Sequence, residues 1–376
     1  MILTAPGPWG VIEFCYLYLE APDNLVDSFP LPNPQTRWVF PASETPSLEQ
    51  TLADAGLQES AIKTLLNPAR IVTTDGKVHL FPGNDLITGL DQATRGRLYS
   101  ILRKNRLNPY HSNPIMILSG DVDTWAEDSG LGESALSTIK KLAYDMNGIL
   151  AFSDVPLLVG QAGGDAEARA IFKSMTRVRT LMARLRIDAD SDVSSLVDYW
   201  STGLKLRQKD IRPLFYAVKH TQGAAQLDLA HLLPAFARRL LYTYPDGAMM
   251  AQGALPDCHW TTLNFFNYAP QHYYLDTRNA TNALLENFEK VDPPYRFGDV
   301  LMFMDTDGFA RHSCNYLAAD IVFTKNGRNP AIPWTLMELS DLQKIYLVNA
   351  RETQIQGYRH KKAIEAGRQV TRRQRD

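Results

Sequence analysis

Cysteine acts as a nucleophile through its thiolate, and a helix N-terminus or a nearby imidazole favours that form. The stretch PDCHWTTLNFF, Pro256 to Phe266, sets Cys258 directly after Asp257 at the head of an apolar run that reads as a helix start. Cys258 is therefore expected as a nucleophile, and its imidazole must come from elsewhere. His312 is the candidate, because it opens an expected strand after GDVLMFMD and the turn TDG, and a strand holds a ring rigidly. A third group is needed to fix the imidazole tautomer. In a hairpin centred near Ala319, the positions across from His312 fall at Thr324 to Asn326. Thr324 and Asn326 can each accept a hydrogen bond from the ring, whereas Lys325 points to the other face and cannot accept one. Such a site would attack an amide carbonyl to give a thioester. His312 would protonate the leaving amine and then activate water. The backbone N–H of Cys258 would donate to the developing oxyanion, with His259 as a candidate second donor.

The elements that must position these residues follow from periodicity and punctuation. Residues 1–130 read as a mixed extended and helical region. Prolines in APGPWG and FPLPNPQTRWVFPAS predict a surface-lying extended segment over about the first 45 residues. Ser47 opens SLEQ, the Ser-x-x-Gln pattern of a capping box. Asp75-Gly76 between alternating apolar runs predicts a hairpin near 70–82. Residues 131–240 read as helical, with Leu136, Ile139, Leu142, Met146 and Ile149 at helical spacing and Asp165 as an N-cap. In residues 241–350 a helix from Cys258 precedes three short strands, RFGDVLMFMD, ARHSCNYLAA and DIVFTKNG, and PWTLMELSDLQKIYLV closes with a helical piece. Residues 351–376 read as a basic, frayed tail. The fold class expected is α+β, a mainly helical N-terminal region followed by a domain of one helix and a small antiparallel sheet.

Residues 241–350 resemble the NlpC/P60 cysteine peptidases, whose core is similar to papain. The family pattern is Asp-Cys-Ser-Gly at a helix start, then Gly-Asp-Leu-Val-Phe-Phe, then His-Val-Gly-Ile-Tyr-Leu before a tight turn. Asp257-Cys258, Gly298-Asp299-Val300 and His312 through Tyr316-Leu317 match these three pieces in order. The resemblance implies that Cys258 is the nucleophile and His312 the base, and that the substrate is a peptide of bacterial peptidoglycan. It also implies a site-lining tyrosine upstream of the cysteine, a place Tyr242 or Tyr244 would fill. Asp257, His259 and Trp260, next to the nucleophile, are candidate substrate contacts, although Trp260 is most simply a core residue of the helix and His259 a packing or capping residue. His259-Trp260 departs from the usual Ser-Gly and makes the wall next to the nucleophile bulkier. Thr324 aligns by spacing with the family's third polar residue, and Asn326 is the closer chemical match. An acyltransferase or other amidase on the same fold, and a non-catalytic binding protein that retains it, are the rival readings. A peptidoglycan enzyme is expected outside the cytoplasm.

Composition bounds the alternatives. The formal net charge of −2 provides no overall field for nucleic acid, so none is expected as a partner. No apolar run approaches the ~18 residues of a membrane span, and the N-terminus shows no basic leader of a signal peptide. Cys15, Cys258 and Cys314 are too few and too scattered for a disulfide framework, and Cys15 and Cys314 read as inert buried thiols. The remaining histidines lack ligand spacing, and there is no P-loop, GxGxxG or GxSxG, so neither metal nor cofactor is expected.

Overall fold

The computed structural model describes residues 1–68, 71–201, 207–221, 223, 226–251, 253, 255–346 and 353–366. The chain is mixed α/β, with helices and several small antiparallel sheets. It forms two compact units, one of Met1–Ala21 with Val178–Asp376 and one of Pro22–Arg177. One unit is thus built from both ends of the chain, a division the serial segments 1–130, 131–240, 241–350 and 351–376 do not contain.

The chain opens with β1 (Ile2–Leu3) and β2 (Val11–Leu19). The expected surface segment is instead an interior strand, because Ile12 and Phe14 are buried at alternate positions and bring β2 into a sheet. The chain then builds the Pro22–Arg177 unit around two three-stranded sheets. In the first, β3 (Trp38–Pro41), β4 (Val72–Thr74) and β5 (Lys77–Leu80) pair in the order β3-β5-β4. The expected hairpin forms there, with Asp75 and Gly76 at φ 49° and 69°, the positive values a two-residue type I′ turn requires. The SLEQ capping box does not form: Ser47 precedes the following helix without a side-chain cap. Helix α1 (Gln92–Leu102) is capped by Asp91, which accepts from the Thr94 N–H at 2.9 Å, and it buries Arg95, Leu98, Tyr99 and Leu102. The second sheet contains β6 (Ile115–Ile117), β7 (Tyr144–Met146) and β8 (Ile149–Phe152). Helix α2 (Asp165–Ser174) has Gly164 rather than Asp165 at its cap position.

The expected helical run over 131–240 is interrupted by strands. Beyond β7 and β8, the run that begins at Asp165 stops as a helix at Ser174 and continues as β9 (Val178–Arg186). Leu181, Ala183 and Leu185 are buried at every second position, and β9 pairs with β2 along all its length. The strand order is β1-β2-β9-β10, with β10 at Gln226–Asp228. Helices α3 (Val193–Trp200) and α4 (Gln208–His220) add Leu196, Val197, Ile211 and Phe215 to the core of this sheet.

Helices α5 (Cys258–Leu263) and α6 (Thr277–Asn287) lead into a six-stranded antiparallel sheet. Its strands are β11 (Phe288–Val291), β12 (Val300–Asp305), β13 (Ala310–Ala318), β14 (Ile321–Lys325), β15 (Trp334–Glu338) and β16 (Thr353–His360), in the order β11-β16-β12-β13-β14-β15. Helix α7 (Leu339–Tyr346) follows β15, so PWTLME is a strand before the expected helical piece begins. The three expected strands are β12, β13 and β14, and Ala319 and Asp320 turn between the last two at positive φ. The basic tail is not frayed over 353–360. It forms β16, whose Arg359 makes a bidentate ion pair with Asp299 at 2.7 and 2.6 Å. The rest of the tail at 351–352 and 367–376 lies outside the described residues. Gly298-Asp299 now has a physical role: Gly298 sits at φ 86° where a Cβ would overlap the Phe266 ring, and Asp299 anchors β16. Among the described residues, no helix is long and apolar enough to cross a membrane.

Candidate active site

Helix α5 starts at Cys258 because Asp257 caps it. One carboxylate oxygen accepts from the Trp260 N–H at 2.9 Å, and the other accepts from Arg328 Nη2 at 3.1 Å and Nε at 3.2 Å. Both oxygens therefore have internal partners, which corrects the expectation of Asp257 as a substrate contact. Trp260 takes the simpler of its two readings. It is fully buried, with the Phe236 and Trp334 ring centroids at 5.3 and 6.5 Å, and is a core residue. Trp334 in turn donates its indole N–H to Thr261 Oγ1 at 2.9 Å and ties β15 to α5.

His259 lies along β13. Its Nδ1 is 2.9 Å from the Ser313 hydroxyl, which also bonds Thr262, and Asn315 donates to the Thr262 carbonyl at 3.2 Å. Burial lowers the His259 pKa below the ordinary histidine value, with Arg328 adding to this and Asp257 opposing it, so the ring stays neutral near pH 7. Ser313 and Asn315 thus present one face of β13 to α5. Strand alternation turns His312 and Cys314 to the other face.

On that face His312 is fully buried. Its Nε2 is 2.9 Å from Thr324 Oγ1, and its Nδ1 is buried without a hydrogen-bond partner. Phe303, its partner on β12, meets the ring edge-on at 5.5 Å. Tyr346, the last residue of α7, stacks on it at 4.1 Å with the rings 8° from parallel. Of the two candidates for the third residue, Thr324 is the one bonded to His312. Asn326 instead directs its amide N–H to the Met337 sulfur at 3.2 Å, and its carbonyl oxygen has no partner.

Cys258 is buried, at 6% exposure. It does not hydrogen-bond His312, since one ring nitrogen is engaged by Thr324 and the other is unpartnered. Its electrostatic neighbours are Cys314, Lys325 and Tyr346. Burial raises the Cys314 thiol and the Tyr346 hydroxyl well above their ordinary values, and Cys258 adds to both shifts.

The two upstream tyrosines are drawn elsewhere. Tyr242, at φ 62°, donates its hydroxyl to the Leu181 carbonyl of β9 and its N–H to the Trp334 carbonyl at 2.8 Å. Tyr244 has a buried hydroxyl without a partner, raised by burial and by Glu20. Neither tyrosine is hydrogen-bonded to α5.

Tyr346 and Lys325, both electrostatic neighbours of Cys258, were not among the expected site residues. Tyr346 stands at an ordinary helical position, and nothing in its spacing points to His312. Lys325 carried a signal: a lysine ending the apolar run IVFT must find partners if it is buried. It is fully buried, and its Nζ donates to the carbonyls of Gly327 at 2.9 Å and Asn329 at 3.1 Å. Compared with known proteins, the chain matches no family model, no curated protein and no solved structure.

Proposed function

We propose that the chain is a cysteine hydrolase of peptide or amide bonds, papain-like in its C-terminal part and of the NlpC/P60 type, with peptidoglycan stem peptides as the substrate class. The observation that carries this reading is the set of side chains around α5 and β13. Cys258 begins a capped helix packed on β13, and the other face of β13 carries an imidazole whose Nε2 is tied to Thr324, whose Nδ1 has no partner, and on which Tyr346, an electrostatic neighbour of Cys258, is stacked. In the proposed reaction, Sγ adds to the carbonyl carbon, and the tetrahedral intermediate collapses to a thioester as His312 protonates the leaving amine. Water, deprotonated by His312, then releases the acid and regenerates the thiol. Thr324 holds the tautomer that leaves Nδ1 as the working nitrogen.

The burial of His312 beneath Tyr346 favours a second reading, a binding protein that retains the arrangement without turnover. Incubation with purified muropeptides, followed by mass spectrometry, separates the two. Hydrolysis expected of the parent is lost in Cys258→Ala. Retention of intact muropeptide by both proteins, with no cleavage by either, overturns the hydrolase reading and supports the binding one.

A further inference from the structure

The Pro22–Arg177 unit holds a cleft of about 720 Å³, a size that suits a small ligand. Its walls come from three places. The turn Ala42–Ser47 and the helix Leu48–Asp54, which follow β3, bring Glu44 and Asp54. The β4–β5 hairpin brings Asp75 and Lys77. The end of α1 and the loop after it bring Ile101, Lys104, Arg106 and Leu107. Side-chain and backbone bonds tie these walls together. Ala42 donates its N–H to the Gly76 carbonyl at 2.8 Å, and Arg97 of α1 donates to the Ala55 carbonyl at 3.0 Å. Asn108, 1% exposed, accepts from the Val39 N–H at 2.8 Å and donates to the carbonyls of Val39 at 2.9 Å and Leu102 at 3.0 Å. It thereby pins the loop after α1 to β3, so the shape of the cleft is set before any ligand arrives. The same bonds occupy both backbone groups of Val39, and a strand cannot add to β3 there.

The charges around the cleft are of both signs and are not spent on one another. Among the described residues, no side chain bonds or pairs with the charged groups of Glu44, Asp75, Lys77, Lys104 or Arg106, and Asp54 is bonded only to Gln50, at 2.6 Å. A purely anionic ligand meets the carboxylates of Glu44, Asp54 and Asp75, and a purely cationic one meets Lys77, Lys104 and Arg106. A ligand with a charge of each sign at its two ends satisfies both sets. Phe40, Ile101 and Leu107 line the same cleft with apolar surface, and Leu107 is 39% exposed. The lining holds no cysteine, serine or histidine, so it offers binding without turnover. We propose that this cleft binds short zwitterionic peptides, with the terminal carboxylate at Lys104 and Arg106, the terminal ammonium at Glu44 and Asp54, and apolar side chains against Ile101 and Leu107. This site does not rest on Cys258 as a nucleophile.

The test is a titration of the full chain with the tripeptide alanyl-leucyl-alanine, followed through the methyl NMR signals of Val39, Ile101 and Leu107. Saturable shifts are expected at these methyls, with a Kd under about 1 mM. The same peptide with its amine acetylated and its carboxylate amidated is expected to bind at least about tenfold more weakly. Joint Lys104→Glu and Arg106→Glu should weaken the free peptide about tenfold or more and leave the blocked peptide as it was. The charge-keeping pair Lys104→Arg and Arg106→Lys should stay within about threefold of the parent. No saturable shift by about 10 mM peptide overturns the proposal. So does a blocked peptide that binds as tightly as the free one, or a double charge reversal that binds like the parent. The comparison of free and blocked peptide uses the parent chain alone and therefore holds even where a variant fails to fold. Muropeptide cleavage tests the Cys258 reading separately, and its failure leaves this binding unchanged.

Discussion

Each of the two units buries a cation, and they surround it differently. In Pro22–Arg177, Arg95 of α1 is 1% exposed and faces Asp154 at 3.9 Å, while its guanidinium donates to the carbonyls of Ile87 at 2.8 Å and Lys141 at 3.3 Å. Asp154 also accepts the Tyr99 hydroxyl at 2.6 Å. Charge meets opposite charge, and the network joins α1 to the segment after β8. In the other unit Lys325 is equally buried but is bonded only to neutral carbonyls. The first arrangement has the form of a specificity device in a core. The second leaves a field directed at whatever lies nearby, which is how functional sites are commonly built.

The contrast breaks most visibly at Asp154. Asp154→Ala leaves the Arg95 charge buried and unpaired and is expected to cost about 3–5 kcal/mol. Urea-dependent hydrogen exchange on peptides from α1 measures it in the right unit. Joint replacement, Arg95→Met with Asp154→Leu, removes both charges and should recover most of the loss. A single variant costing under about 1 kcal/mol would mean that the pair is not a core device.

Lys325 should respond with a slope. Its folded-state value, about 8, lies below the ordinary lysine value, so the unfolded chain binds more protons between about pH 8 and 10. Stability should therefore rise with pH across that window, by at most about 1.4 kcal/mol per pH unit. Urea midpoints from pH 7.5 to 10 are expected to climb in the parent and to stay flatter in Lys325→Met, which has no proton to lose. Parallel curves would show that the ammonium is better solvated than its burial implies.

A smaller slope belongs to His111, whose ring meets Tyr99 edge-on at 4.5 Å. Burial lowers it to about 3, so its contribution is present above about pH 6.5 and is lost as pH falls toward 3. Burial raises Asp154 to about 6 against Tyr99 and Arg95, and that contribution is present below about pH 4 and is lost as pH rises through 6. The two slopes oppose each other between pH 4 and 6. His111→Phe should remove the first and expose the second, so that urea midpoints fall with rising pH over that window. A His111→Phe profile that still rises would mean that Arg95 holds Asp154 ionised.

What the sequence revealed of this architecture was local. The Asp75-Gly76 hairpin, the helix start at Cys258, the three strands β12, β13 and β14, and the His312–Thr324 approach all rest on turn chemistry and short-range alternation. β9 departs from the helical expectation because VRTLMARLR suits either period once a helix precedes it, and only its pairing with β2, whose residues lie 159 to 175 positions earlier, decides. β16 was misread because a basic, polar run looks solvated until Asp299 supplies its partner. Tyr242 was expected beside a substrate by resemblance, and Asp257 as a contact next to the nucleophile, whereas their neighbours Leu181 and Arg328 come from distant segments that no local pattern announces.

The smallest effect separates a cap from a charge. Asp257→Ala removes the bond to the Trp260 N–H and should cost about 1 kcal/mol. Its ion pair adds little to that figure, because the Arg328 side chain is 60% exposed and water screens it. Asp257→Ser should restore most of the loss, since a hydroxyl caps nearly as well. Reactivity adds a second axis. Freed from Asp257, Arg328 becomes an uncompensated cation beside the start of α5, so Asp257→Ala should be labelled by iodoacetamide at Cys258 faster at pH 7 even as it unfolds more easily. Asp91→Ala removes the same kind of cap from α1 in the other unit and should lower stability there without altering Cys258 labelling. Equal labelling in the parent and both alanine variants would show that charge near α5 does not reach the sulfur, and the distinction between the two buried cations would then be one of stability alone.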